Sequence, residues 1–284
     1  MSSSRRSFFR DLASAVAAAK DATAPPAEPD PGPPPGAELT EAEIERYSRQ
    51  LVLPEWGAAA QLALSEASVL VIGAGALGSP VALYLAGAGV GRMGLVDDDE
   101  VELSNLHRQL LHFTPDLGVP KAESGAAKLR YLNPDVLVEP YRMRVDEGNV
   151  SALLEGQDLV VDCSDSFATR YAVNAACCAA RVPLVEAGVL GMSGLVMSIR
   201  PGRTACYRCA FPSAPDDAPR CADAGVLGPA AGVVGSLQAL EAMKLLTGVA
   251  PAIADGFLSV DLATAEFMRV RTSRRADCPD CAGV

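Results

Sequence analysis

The chain has 284 residues, of which 49% are hydrophobic and 21% charged. This length suits one large α/β domain or two small ones, and a fold of that size buries roughly three-quarters of its unfolded surface. The formal net charge is −11, from 24 basic and 35 acidic residues, so the basic footprint of a nucleic-acid-binding protein is missing. The sequence also contains no run of about 20 apolar residues. We therefore expect neither a nucleic acid nor a membrane among its partners.

The first 38 residues differ in composition from the rest. Residues 4–10 (SRRSFFR) resemble a twin-arginine export signal, but the Ala-rich stretch that follows is interrupted by Asp11 and has no clear cleavage site. We accordingly predict a cytoplasmic protein. Residues 21–38 (DATAPPAEPDPGPPPGAE) are proline-rich and acidic, with almost nothing to bury. The sequence predicts a disordered or partly helical tail and linker over 1–38, and one folded domain over 39–284.

Hydrophobic patterning predicts alternating strands and helices in the folded domain. Thr40 and Glu43 form a capping box for a helix that runs to about residue 51. A strand, a glycine-rich turn, a helix and a second strand then follow within about 30 residues, which predicts a βαβ unit with parallel strands. In this unit, the first strand occupies residues 67–73, the helix 80–89 and the second strand 93–97.

The rest of the chain continues the same alternation. Further strands are predicted at 136–145, 159–163, 183–187 and 195–199, and further helices at 121–131, 148–154 and 168–181. Residues 203–228 lack periodicity and are predicted to be an irregular, functional loop. An apolar helix over 229–246 and a hairpin over 257–271 complete the chain. The predicted fold class is α/β: a Rossmann-like, mostly parallel sheet flanked by helices.

The turn after the first strand carries the spacing G-x-G-x-x-G, formed by Gly73, Gly75 and Gly78. The first glycine permits the tight turn, the second lets a phosphate approach the backbone, and the third lets helix and strand pack closely. The helix N-terminus supplies unpaired N–H groups for an anion. Asp97 ends the next strand, where a carboxylate can accept hydrogen bonds from ribose hydroxyls. By itself this motif favours an NAD-dependent dehydrogenase.

The segment after Asp97 argues against a dehydrogenase. It reads DDDEVELSNLHRQ over residues 97–109, and Lys121 follows at a predicted helix start. Arg108 and Lys121 together can neutralise a triphosphate and Asn105 can orient it, whereas hydride transfer needs no such pair of cations. A solvated loop with surface charges is the alternative interpretation.

The strand predicted at 159–163 runs into acidic residues at its carboxyl end, where open parallel sheets bind ligands. A carboxylate at that position, opposite phosphates, is suited to hold Mg²⁺. Asp162 is expected to cap or hydrogen-bond locally, and we assign the magnesium to Asp165.

Eight cysteines are present. Cys206 and Cys209 form one C-x-x-C pair and Cys278 and Cys281 another, which predicts a structural tetrahedral zinc site that staples the chain's end; two disulfide or redox motifs are the alternative. Cys221 lies in a polar, irregular stretch, where its thiol is expected to be exposed but inert. Two groups are given no catalytic role: the cysteines in apolar surroundings (Cys163, Cys177 and Cys178) and the two histidines (His107 and His112).

Together these motifs resemble the ThiF/MoeB/HesA family, the bacterial relatives of ubiquitin-activating enzymes. The matching segments span about residues 39–281: ERYSRQ at 45–50, the glycine turn, 97–109, Pro120-Lys121, CSDS at 163–166, CYRCAF at 206–211, RCADAGV at 220–226, GSLQALEA at 235–242 and the terminal C-x-x-C. Within the family, the resemblance is nearest to the type that serves molybdopterin synthase.

The resemblance implies an ATP-dependent adenylyltransferase that activates the C-terminal carboxylate of a ubiquitin-fold sulfur carrier ending in Gly-Gly. Arg49 would reach across a homodimer interface into the neighbouring site, Asp165 would hold Mg²⁺, and Cys221 corresponds to a cysteine that some members link to the carrier. The implied nucleotide site comprises Gly73, Gly75, Ala76, Gly78, Asp97, Asp99, Ser104, Asn105, Arg108, Gln109, Lys121, Asp165 and Ser166.

This sequence departs from the family pattern in two ways. Ser166 stands where the family often has Asn, although a hydroxyl can still donate a hydrogen bond. No rhodanese domain follows Cys281, so sulfur is expected from a separate donor protein. The same chemistry on a thiamine-pathway or HesA-like carrier, a nicotinamide-dependent oxidoreductase and a non-catalytic partner-binding relative are the alternatives.

Overall fold

The computed structural model describes residues 38–214, 225–250 and 252–284. The tail and linker predicted before residue 38, the twin-arginine-like segment and Cys221 lie outside the described residues. In chain order the strands are β1 Ser68–Ile72, β2 Arg92–Val96, β3 Leu137–Tyr141, β4 Leu159–Asp162, β5 Leu184–Leu190, β6 Ser193–Ile199, β7 Gly256–Asp261 and β8 Glu266–Arg271. The helices are α1 Glu41–Arg46, α2 Ser48–Leu51, α3 Gly57–Glu66, α4 Gly78–Ala88, α5 Lys121–Leu132, α6 Val150–Leu153, α7 Phe167–Ala180, α8 Tyr207–Ala210 and α9 Gly228–Thr247.

The strands form one sheet in the order β3-β2-β1-β4-β5-β6-β7-β8. The first five pair in parallel, with Val71 opposite Leu95 on one side and Val161 on the other. The last three add in antiparallel fashion, and β7 and β8 form the predicted hairpin. The predicted α/β class with a mostly parallel sheet is confirmed. The order of the strands reverses beside β1, which places the carboxyl ends of β1, β2 and β4 around one crevice.

The sheet is covered on both faces, as a parallel sheet requires. Every residue of β1 is buried, and its side chains alternate between two apolar clusters. Val69 and Val71 pack into the cluster that includes α4 and α9, whereas Leu70 and Ile72 pack into the cluster beneath α7. Full burial of each such side chain contributes about 1.5–3 kcal/mol, so the central strand is a rigid base for the turn that follows it.

The predicted N-terminal helix needs a correction. The capping box of Thr40 and Glu43 is present and starts α1, but the helix is interrupted at Tyr47 before α2 begins. The Tyr47 ring turns inward and is 3% exposed, and its hydroxyl accepts a hydrogen bond from Asn133 Nδ2 at 2.9 Å. The interruption therefore lies at the residue whose ring is buried and bonded to Asn133.

Two further helices were not anticipated. The helix α3 was not predicted from the sequence; its Gln61 is fully buried and donates to the carbonyl of Ala88 at 2.9 Å. Part of the predicted irregular stretch 203–228 forms the short helix α8, which begins directly after Cys206 and contains Cys209. One helical turn is what brings the two thiols of a C-x-x-C pair to the same side of the backbone.

The start of α4 lies against the turn that precedes it. A Cβ atom on Gly78 would stand 1.8 Å from the carbonyl oxygen of Gly73, a distance that no side chain can occupy. The third glycine of the motif therefore permits the close packing that the sequence predicts.

We predict that Gly78→Ala destabilises the fold by about 1–3 kcal/mol, because the extra methyl group must push α4 away from the turn. Gly87→Ala is the matched control on the same helix: its nearest neighbour would be a Leu132 methyl at 3.9 Å. Alanine favours an exposed helical position by up to about 1 kcal/mol. Denaturant unfolding of both variants measures the difference, and equal stabilities would contradict this packing.

Candidate functional site

A cleft of about 710 Å³ opens at the carboxyl ends of β1, β2 and β4. Its walls come from the glycine turn, the end of β2, the segment before α5 and the loop after β4. Most of the residues predicted for the nucleotide site line it: Gly73, Gly75, Ala76, Asp97, Asp99, Arg108, Gln109, Lys121, Asp165 and Ser166. Residues far apart in sequence thus meet at the reversal point of the sheet, where α/β proteins bind their ligands.

The glycine turn exposes backbone to this cleft. Gly73 adopts a φ of 95°, in the left-handed region that favours glycine, and a Cβ there would lie 2.9 Å from the carbonyl oxygen of Cys163. The helix α4 begins at the end of the turn, and no side chain hydrogen-bonds to cap it. Its first N–H groups and the positive end of its dipole make this position suitable for an anion.

Asp97 organises the base of the cleft. Its Oδ2 accepts a hydrogen bond from the backbone N–H of Ala74 at 2.7 Å, and its Oδ1 accepts one from the N–H of Asp99 at 2.9 Å. Burial raises the pKa of Asp97, while Lys121 and the two backbone donors act in the opposite direction. Each carboxylate oxygen retains a second lone pair, so the group can still accept from a hydroxyl of a ligand.

Two cationic side chains border the same cleft. Lys121 is 5% exposed, and its Nζ lies 2.7 Å from Asp99 Oδ2. Arg108 is half-buried and donates from Nη1 to the carbonyl oxygen of Ser104 at 2.8 Å. Because Lys121 and Arg108 both line the cleft, both cations can face an anionic ligand.

Three predicted residues do not line the cleft. Asn105 is 7% exposed; its Oδ1 accepts from Glu102 N at 3.2 Å, and its carbonyl accepts from the backbone N–H groups of Arg108 and Gln109 at 3.0 Å. Its amide shapes the turn that presents Arg108. Ser104 lies on the outer side of that turn and is exposed. Gly78 lies in the first turn of α4, where it permits close packing.

Arg49 lies on α2, exposed and away from the cleft walls of its own chain. The expectation that Arg49 reaches across a dimer interface therefore rests on the family resemblance alone.

The two carboxylates at the carboxyl end of β4 differ in environment. Asp162 is fully buried, and its Oδ1 accepts from the backbone N–H of Ser164 at 2.8 Å, which is the local role expected for it. Asp165 is exposed at the cleft wall. Ser166 caps α7, with its hydroxyl accepting from Thr169 N at 3.5 Å. Of the two carboxylates, Asp165 is the one available to a metal ion.

Sequence reasoning missed Arg170, which lines the cleft from α7 and is 9% exposed. Its Nη2 donates to the carbonyl of Ser164 at 2.8 Å, and its Nη1 lies 3.2 Å from Glu186 Oε1. Burial first, and the adjacent Asp162 carboxylate second, raise the pKa of Glu186. The available signal was Glu186 itself, because a carboxylate inside an apolar strand needs a buried partner.

A separate cluster of thiols lies where the chain's end meets α8. Cys206, Cys209, Cys278 and Cys281 are all buried, with sulfur–sulfur distances of 3.8 Å (206–209), 3.6 Å (206–278) and 3.5 Å (209–281). Four thiolates about 2.3 Å from one zinc ion in tetrahedral geometry would lie about 3.8 Å apart. All four cysteines are free, so the disulfide alternative does not describe this arrangement. The cluster could hold a tetrahedral metal ion.

Among the described residues, no helix is both long and apolar enough to cross a membrane. The described residues form an α/β fold with a cleft bordered by two cationic side chains.

Residues 47–280 match the ThiF family, and the chain belongs to that family. Adenylyltransferase and sulfurtransferase MOCS3 of Sus scrofa is 48% identical over 251 residues, which cover 88% of this chain and 55% of that protein. The SAMP-activating enzyme E1 of Haloferax volcanii is 45% identical over 245 residues, covering 86% of this chain and 90% of that protein. The crystal structure of E. coli MccB with MccA-N7isoASN shares the fold, with a TM-score of 0.76 at 24% identity, over 84% of this chain and 75% of that chain. The chain spans about half the length of the MOCS3 proteins that it matches.

We predict that replacing both Cys278 and Cys281 by serine removes bound zinc and lowers the melting temperature, because metal binding at such a site is coupled to folding. Cys177→Ala is the matched control, since Cys177 is fully buried but lies outside the cluster. Elemental analysis and thermal unfolding measure both effects. A purified wild-type protein that contains no zinc, and whose melting temperature a chelator leaves unchanged, would contradict the zinc assignment.

Proposed function

We propose that the protein is an ATP-dependent adenylyltransferase that activates the C-terminal carboxylate of a ubiquitin-fold sulfur carrier ending in Gly-Gly. One observation carries the proposal: a glycine turn, a carboxylate at the end of β2, two cations and a free carboxylate after β4 all border one cleft. The names of the two relatives, an adenylyltransferase and an activating enzyme, favour the same reaction class.

The contacts of the cleft support a division of roles. Asp97 would accept hydrogen bonds from the ribose, and the backbone at Gly75 and Ala76 would follow the nucleotide. Arg108 and Lys121 would neutralise the phosphates. Four further residues would border the nucleotide, although we assign no particular contact with it to any of them: Gly73, Asp99, Gln109 and Ser166. Three others would act by shaping the elements around the site: Gly78, Ser104 and Asn105.

The reaction needs little from the protein beyond positioning and charge. A carboxylate oxygen of the carrier's last glycine forms a bond to the α-phosphorus of ATP. The bond from that phosphorus to the oxygen bridging to the β-phosphate breaks, and pyrophosphate leaves with the electron pair. Because the attacking carboxylate is already ionised at neutral pH, no general base is required. Fixed cations beside the phosphates stabilise the charge that develops on the leaving group.

The cleft also fits a magnesium ion. Mg²⁺ prefers carboxylate oxygens and phosphates as ligands, and Asp165 offers a carboxylate that is exposed at the cleft wall. Bound there, the ion would neutralise part of the phosphate charge. The neighbouring Asp162 is buried and already used by the backbone of Ser164, so it does not compete for this role.

The carrier and the sulfur source are further parts of the proposal. We place the protein in molybdopterin biosynthesis by overall resemblance, with a thiamine-pathway or HesA-like carrier as the second candidate. Sulfur would come from a separate donor protein. The adenylation domain would comprise residues 39–284, preceded by the tail and linker, and Cys221 stays a prediction for a covalent link to the carrier.

We predict that Arg108→Ala and Asp165→Asn each lower kcat/KM for ATP–pyrophosphate exchange by about 100-fold or more, since each removes charge stabilisation from the reacting phosphates. The measurement is exchange of labelled pyrophosphate in the presence of Mg²⁺ and a carrier.

Matched controls for these two variants lie outside the cleft. Arg142→Ala removes an exposed arginine that pairs with Glu100 at 2.8 Å, and Asp135→Asn removes an exposed aspartate that lies 3.6 Å from Arg46. Both should retain exchange. Binding of a reduced nicotinamide that Arg108→Ala leaves unchanged, with no pyrophosphate exchange by the wild-type protein, would instead favour the oxidoreductase. ATP binding with no exchange would favour the non-catalytic relative.

We predict that Arg49→Ala and Asp165→Asn are each inactive alone but regain part of the activity when the two proteins are mixed and allowed to exchange subunits. In a hybrid dimer, the subunit that retains Asp165 would receive Arg49 from its neighbour, so one site is complete. Sedimentation measures the dimer, and exchange measures the recovery. An active monomer, or mixtures that stay inactive although hybrids form, would refute the shared site.

A further inference from the structure

His112 lies beneath the cleft rather than on its wall and is 3% exposed. Its Nε2 is 2.9 Å from the carbonyl oxygen of Ala74, and its Nδ1 is 2.9 Å from Ser124 Oγ. One partner belongs to the glycine turn and the other to α5. The imidazole is therefore a direct link between the two elements that would contact the phosphates.

The partners indicate which nitrogen of the imidazole carries hydrogen. A carbonyl oxygen only accepts, so Nε2 carries the hydrogen and donates it to Ala74. Ser124 Oγ accepts from Lys128 Nζ at 3.0 Å and can donate its own hydrogen to Nδ1. We assign a neutral ring with hydrogen on Nε2, because burial disfavours the charged imidazole. Burial first, and then the nearby charges of Lys128 and Lys121, lower the pKa of His112, with Asp116 opposing them and the bond to the Ala74 carbonyl also raising it.

Both backbone polar groups of Ala74 are used. Its N–H donates to Asp97, and its carbonyl accepts from His112. The chain of contacts continues from Asp97 to Asp99 and from there to Lys121. Lys121 lies on α5 only three residues before Ser124, so the contacts form a closed ring around the base of the cleft.

We propose that His112 is a positioning residue for nucleotide activation. Through its bond to the Ala74 carbonyl it holds the glycine turn in place, so that the backbone amides of the turn face the same phosphates as the ammonium group of Lys121. This inference rests on the proposed function. It predicts that the bond to Ala74 matters for ATP, whereas the bond to Ser124 serves chiefly to keep hydrogen on Nε2.

Two conservative substitutions of His112 each keep one of these two hydrogen bonds and remove the other. The terminal amide nitrogen of glutamine occupies about the position of Nε2 in histidine, whereas the amide of asparagine occupies about that of Nδ1. His112→Gln can therefore still donate to Ala74, and His112→Asn can reach only Ser124. We expect His112→Asn to raise the KM for ATP about tenfold or more, and His112→Gln to leave it close to the wild-type value. The KM for the carrier should be unchanged in both variants.

A spectroscopic measurement tests the same point without activity. The chain has two histidines, so a His107→Gln variant assigns the imidazole nitrogen signals of His112. We expect a neutral ring protonated on Nε2 at pH 7, with the signal of Nδ1 shifting in Ser124→Ala.

The outcomes distinguish this inference from the proposed function. If the wild-type protein neither binds ATP nor exchanges pyrophosphate, the proposed function fails, whatever the state of His112. If the wild-type protein is active, equal KM values for ATP in the asparagine and glutamine variants would overturn the positioning role. A ring with hydrogen on Nδ1 alone could not donate to Ala74 and would likewise overturn the positioning role.

Discussion

The hydrogen bond between the Asp97 carboxylate and the backbone N–H of Ala74, at 2.7 Å, is the constraint on which the cleft depends. It ties the end of β2 to the turn after β1, and the second oxygen of the same carboxylate orients the segment that leads to Asp99. Because β1 is buried on both faces, the turn cannot move without disturbing the core. The buried central strand therefore holds the residues that border the cleft in fixed positions.

The cleft and the cluster of four thiols lie in different parts of the molecule. The cleft lies at the carboxyl ends of the parallel strands, whereas the four thiols join the chain's end to α8. Asp280 connects the cluster to the rest of the fold, because it accepts from Asn174 on α7 at 2.7 Å and from Arg208 at 2.8 Å. The same helix α7 carries Arg170 to the cleft. The helix α7 therefore contacts both the segment that carries the cluster and the cleft.

Much of this arrangement could be predicted from the sequence because each motif has a local physical reason. The glycine spacing follows from close backbone approach at Gly73 and Gly78, and the spacing of Cys206 and Cys209 follows from the reach of one helical turn. Arg170 escaped prediction because its partner Glu186 lies 16 residues away on β5, and only the packing of α7 against that strand brings the two side chains together. Similarly, Asn105 and Ser104 have the polarity of ligand contacts, but the amide of Asn105 is used by its own turn.

The central claim is that this cleft activates a carrier carboxylate with ATP. The most direct measurement is ATP–pyrophosphate exchange by the purified wild-type protein with Mg²⁺ and a panel of carriers, each compared with a version that lacks its last glycine. The account predicts exchange with at least one intact carrier and its loss on removal of that glycine. Exchange that persists without the terminal glycine, or ATP binding with no exchange for a carrier shown to bind the protein, would contradict it.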